Sequence, residues 1–273
     1  MTASLLQRKI TEHKYTSMRT IVIMLVMTLV IVGKGFAQEQ VKEYYPSQRL
    51  MSITTHEKGQ PHGKSTSWHE NGQKMAEGTY LLGEKQGKWL EWYENGKLWS
   101  LAYYEMGVPN GRYEDYDMNG AKVEEGVMVN GVPNGPVTTL YNDGTPRSTG
   151  FMKDGMKSGF WTTYYPDGSK FDEGEYKMST KVGVWKEYHD NGKMKAQGTF
   201  FGGEPHGKWM EWHPDGRKAM DGEYVGGQKS GIWTTYHDNG QVKSTGTYAN
   251  NEKTGKWQHW KPDGMPDGEQ IFP

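Results

Sequence analysis

Apolar and polar positions alternate along this chain in short runs, and the runs return at one fixed interval. Trp161-Thr162-Thr163-Tyr164-Tyr165 and Trp233-Thr234-Thr235-Tyr236-His237 are aromatic and β-branched, the composition of strands. Each such run leads to an Asx-Gly pair and then to a second run, such as Lys243-Ser244-Thr245-Gly246-Thr247-Tyr248. The glycines of the pairs are Gly72, Gly96, Gly120, Gly144, Gly168, Gly192, Gly216, Gly240 and Gly264, stepping by twenty-four residues. A second series keeps the same step from Gly63 through Gly87, Gly111, Gly135, Gly159, Gly183, Gly207 and Gly231 to Gly255. A strict period of this length means an array of like supersecondary units.

The residue before each pair glycine is always Asn or Asp, from Asn71 and Asn95 to Asn239 and Asp263. Such pairs accept positive φ at both central turn positions, so the pattern predicts nine two-residue type I′ hairpins. No segment of the repeats has helical spacing, and glycine recurs too often for a helix. The expected fold class is all-β, an elongated single-layer antiparallel β-meander built from 24-residue hairpin repeats. Nine two-stranded units at the usual strand spacing extend roughly 80 Å. Glycines inside the second runs, among them Gly78, Gly126, Gly174 and Gly222, mark places where a large ring from a neighbouring strand can lie close.

Two aromatic rows follow from the period. One contains Trp89, Tyr113, Trp161, Trp185, Trp209, Trp233 and Trp257. The other, three residues on, contains Trp68, Trp92, Tyr116, Tyr164, Tyr188, Trp212, Tyr236 and Trp260. An offset of three puts the rows on opposite faces of the sheet. Two readings stand: the rings cover neighbouring glycines and side-chain stems, or they form flat platforms for a partner chain or a glycan.

The succession Gly-x-Trp-x-x-Tyr-x-x-Asn-Gly, then Lys, Gly and Tyr, resembles the MORN-repeat variant of bacterial proteins, close to the group labelled YwqK-type antitoxin. The likeness runs from about Gly63 to the C-terminus. It implies an array of spacer or docking modules, with an antitoxin or immunity role as a further expectation.

Three parts are expected: residues 1–37 as a signal peptide, 38–62 as a degenerate leading repeat that caps the array, and 63–273 as nine repeats. Arg19 precedes the apolar run Thr20–Val32, too short for a comfortable span, and Gly35-Phe36-Ala37 offers a small-x-small cleavage pattern. Met18 is an alternative start. The expectation is an exported protein, periplasmic or extracellular, with no stable membrane span after cleavage. The chain has no cysteine, so neither a lipid-anchoring thiol nor a disulfide is available.

With 32 basic and 33 acidic residues, nothing favours nucleic acid as a partner. His69, His189, His213 and His237 share one position of the repeat. Equivalent residues lie two strands apart, roughly 9.6 Å, too far to share a metal ion. No nucleophile elbow, zinc-protease motif or phosphate loop occurs. The lysines and glutamates around Lys170 and Glu173 read as a solvated face. The chain is therefore expected to be a non-enzymatic scaffold without metal or cofactor, binding a protein or else a glycan through its aromatic rows.

Overall fold

The computed structural model describes residues 38–273. The leader assigned to residues 1–37 lies outside the described residues. Those described form twenty-one strands and no helix, in one open antiparallel sheet whose strands follow chain order. The first hairpin, β1 (Gln38–Tyr44) and β2 (Leu50–Glu57), already shows the register of those that follow. One strand is interrupted. β9 (Val132–Pro133) and β10 (Gly135–Leu140) flank Asn134 and together fill the place that β7 (Val108–Tyr116) holds one repeat earlier. Both pair with β8 (Lys122–Val129).

The turns exchange the roles expected of them. None of the nine Asx residues has positive φ; only the glycine after each does, as with Gly72 at 89°. Gly72 N–H donates to His69 O and His69 N–H donates to Gln73 O, both at 2.8 Å. This closes a three-residue loop with a left-handed glycine in its last place, not a two-residue type I′ turn. The Asx side chain serves the loop instead: Asn71 Oδ1 accepts Gln73 N–H at 2.9 Å. Its amide Nδ2 also donates to Glu94 O of the next repeat at 2.7 Å. The true two-residue turns lie at the other rim, between repeats. Leu82-Gly83 has φ of 51° and 87°, and Met178-Ser179 has 51° and 61°, the paired positive φ of type I′.

The core is a stripe of rings on one face. Glu77 pairs with Leu90 and Thr79 with Gln86, so Gly78 faces three residues, Gly87 to Trp89. Gly87 takes positive φ (67°) inside this bulge, and the Trp89 ring swings over Gly78. A Cβ on Gly78 would lie 2.2 Å from that ring. Trp89 Nε1 donates to Thr79 O at 3.1 Å. Tyr80 and Tyr104 meet the ring edge-on, at centroid distances of 4.9 and 6.5 Å. Lys85 Nζ closes the top, 4.4 Å from the centroid. The same enclosure recurs around Trp185, Trp233 and Trp257, and around Trp161 with Tyr176 as its one flanking ring. Edge-on ring pairs and cation–π contacts each add about 0.5–1.5 kcal/mol, so a single layer can bury a tryptophan without a second layer to cover it.

Candidate binding surfaces

The first aromatic row is core, which corrects its reading as a platform. Trp89, Trp161, Trp185, Trp233 and Trp257 are buried, and Trp233 is only 1% exposed. A ring enclosed by glycine, one or two flanking rings and a lysine has no face left for a ligand. Trp209 is the looser member: half-buried, it donates to Glu211 Oε1 at 2.9 Å rather than to a backbone carbonyl.

The second row lies on the opposite face and is half-buried at Trp92, Tyr164, Tyr188, Trp212, Tyr236 and Trp260. It too is tied into the sheet. Tyr188 OH donates to Glu173 Oε1 at 2.7 Å, and Lys74 Nζ stands 4.9 Å from the Trp92 centroid. Burial, then the hydrogen bond and charge of the acid, push the hydroxyls of Tyr188 (Glu173) and Tyr236 (Asp221) up to about 12. The Lys170–Glu173 pair (2.7 Å) is not wholly solvated, because Glu173 is buried beneath it.

The histidines hold neighbouring repeats together. His69, His189 and His237 donate through Nε2 to the carbonyls of Trp92, Trp212 and Trp260 at 2.7–2.9 Å. His213 Nε2 lies 3.5 Å from both Tyr236 O and Asp238 Oδ1. At the same position of other repeats Tyr45, Tyr93, Tyr141 and Tyr165 make the same bond through their hydroxyls. Histidine and tyrosine are alternative ways of reaching one carbonyl. Among the described residues no three His, Asp or Glu converge as metal ligands would.

A row that the aromatic pattern concealed lies one residue before the buried rings, on the opposite face. Its members are Lys64, Lys88, Arg112, Pro136, Phe160, Val184, Lys208, Ile232 and Lys256. Phe160 (61% exposed), Val184 and Ile232 are large apolar residues in the open. Phe151 and Ile271, in register with Pro136 and Lys256, extend the row. The signal was present as departures from lysine at one fixed position of the repeat.

One unit departs from the others. Where six repeats set Trp over Gly, the next positions pair Ala102 with Tyr113 and Gly126 with Val137. With no tryptophan at 137, the Tyr113 ring covers Gly126 from the other side, 2.8 Å from where a Cβ would stand. Behind it, on the lysine-row face, is a depression of about 290 Å³ lined by Arg112, Glu114, Glu125, Val127, Pro136 and Thr138. Tyr113 OH donates to Glu124 at 2.6 Å. Asp115, directly across from Glu124, is raised to about 6 by burial, then by the charges of Glu124 and Glu91.

Four segments, 61–81, 85–106, 181–201 and 229–250, match the MORN repeat variant family. These four segments are similar to MORN repeats, and the other repeats of the array keep their period. No curated protein matches the sequence. A crystal structure of a porin-like protein from Bacteroides uniformis aligns over 88% of this chain and 91% of that one, at 9% identity and a TM-score of 0.15, a likeness too slight to build on.

Proposed function

We propose that this MORN-repeat chain is a non-catalytic, exported scaffold that binds a protein partner in the cell envelope through its lysine-row face. The observation that supports the reading is the exposure of Phe151, Phe160, Val184, Ile232 and Ile271 on one face, while the tryptophans opposite are sealed. Exposed apolar side chains aligned along a stiff sheet suit a partner that makes several moderate contacts at once. A glycan would need free ring faces, and the buried row supplies none. An antitoxin or immunity role of the YwqK type is a narrower form of the same scaffold reading, with an exported toxin as the partner. Export rests on the apolar run before Ala37.

The test is site-specific photo-crosslinking from position 160, compared with a crosslinker at Asn71 on the loop rim. Discrete adducts of one protein from position 160 and none from the rim are expected. Absence of any adduct, or retention of the purified chain on peptidoglycan alone, would overturn the proposal. N-terminal sequencing of the exported chain should begin at Gln38.

A further inference from the structure

We propose that the depression between β7, β8 and β10 is the anchoring pocket of this scaffold, and that it takes an apolar side chain followed by a carboxylate in an extended segment of a partner protein. The inference rests on the interaction reading above and specifies its site. In a chain that repeats so strictly, a local departure needs a reason, and several departures fall at this one place. Tryptophan gives way to Tyr113 and then Val137. The strand is interrupted at Asn134, although Asn134 N–H still donates to Val127 O at 2.9 Å. The ring exchange lies on the buried-ring face; on the lysine-row face Pro136 stands where five other repeats carry Lys or Arg, beside the about 290 Å³ depression.

The chemistry of the walls selects the occupant. Val127 and Pro136 are apolar. The two acids are already satisfied: Lys122 Nζ lies 3.0 Å from Glu114 Oε1 and 3.0 Å from Glu125 Oε2, and Tyr116 OH donates to Glu114. Arg112 is exposed and makes no ion pair among the described residues. Lys88, in the same row two strands away, adds charge of the same sign. A guanidinium without an acid is a ready fork for a carboxylate. Beyond the pocket, Phe151 and Phe160 continue the apolar surface on the next two strands. From β7 to Phe160 is four strand spacings, about 19 Å, the reach of five or six extended residues. That length favours a peptide segment over a small molecule.

Fluorescence anisotropy on the whole chain tests this with labelled hexapeptides Gly-Ser-Phe-Asp-Ser-Gly, the same with Lys for Asp, and the same with Ser for Phe. The first should bind at micromolar to millimolar concentration, and the other two about tenfold or more weakly. Arg112→Glu should reverse the order of the Asp and Lys peptides. Pro136→Lys, which restores the residue most common at that position, should weaken the Phe-Asp peptide about tenfold with the circular dichroism spectrum unchanged. Equal binding of the Asp and Lys peptides, or none up to millimolar, would overturn the pocket. Crosslinking from position 160 in the Arg112→Glu chain separates the two ideas. A retained adduct would remove the pocket and leave the scaffold reading standing; no adduct even from the unmodified chain would remove the scaffold reading.

Discussion

The hairpins on either side of Pro146 obey the same frame with different contents. After it, Trp161, Trp185, Trp233 and Trp257 lie over Gly150, Gly174, Gly222 and Gly246, each ring 2.2–2.3 Å from where a Cβ would be. Before it, Trp89 alone keeps that arrangement, over Gly78, while Ala102 faces Tyr113 and Gly126 stands opposite Val137. At the start of the array Thr54 faces Ser65, and their hydroxyls bond at 2.8 Å. The size of one residue thus follows the size of the other: nothing under an indole, a methyl against a phenol, a hydroxyl against a hydroxyl. The repeat conserves a filled volume, not a residue. At Gly126 and Val137 neither member is a ring, and the Tyr113 ring of the preceding strand covers Gly126 instead.

The sharpest way to break this contrast is to empty a filled seat. Trp233→Ala should cost about 3–5 kcal/mol, the usual cost of removing a large buried ring. Val137→Ala, in the seat that lacks an indole, should cost less than half as much. Gly222→Ala should also destabilise, by about 1–3 kcal/mol, because its methyl meets the Trp233 ring and must displace it. Urea unfolding reads the differences. Hydrogen exchange should place the Trp233 loss in the hairpins next to it, since each unit of such an array contacts only its neighbours. Equal costs at Trp233 and Val137 would mean that the tryptophan row is not the core.

Much of this was legible in the residues. A period of twenty-four, read with an alternation of two, is enough for the hairpins, the opposite faces and the ring above each mid-run glycine. Turn type was not legible, because an Asx-Gly pair suits both a type I′ turn and the three-residue loop. Strand length on either side of the pair decides between them. The real type I′ sites include Leu82 and Met178, which local preference disfavours there and the pairing of the strands imposes. Burial of the first row was hidden as well. It depends on lysines four residues earlier folding back across a bulge, as Lys181 does to within 3.8 Å of the Trp185 centroid, and neither alternation nor period encodes that reach.

The irregular hairpins should also differ in their response to pH. Asp115 moves from an ordinary 3.8 to about 6 on folding, through burial and then the charges of Glu124 and Glu91. Between those two values the folded chain holds more protons than the unfolded one, so stability falls as pH rises through the window. Above it the full penalty remains. Two units correspond to at most about 3 kcal/mol, and partial solvation reduces this to about 1–2 kcal/mol. Asp115→Asn should therefore be more stable than the parent at pH 7.5 and lose that advantage near pH 4. Denaturant midpoints at the two values check it. An advantage that persists unchanged at pH 4 would assign the effect to packing rather than to charge.

The smallest effect concerns the rim, where both halves of the array use the same bond. His189 donates through Nε2 to Trp212 O at 2.8 Å, and Tyr165 in the preceding repeat reaches Tyr188 O at 3.0 Å. If reach to that carbonyl is all the position requires, His189→Tyr should change stability by less than about 0.5 kcal/mol, within the range of benign surface changes. His189→Ala removes the donor and should cost about 1 kcal/mol, the net value of one hydrogen bond. Urea midpoints of the two variants check it. Equal losses in His189→Tyr and His189→Ala would show that the position needs the imidazole itself rather than any donor able to reach the Trp212 carbonyl.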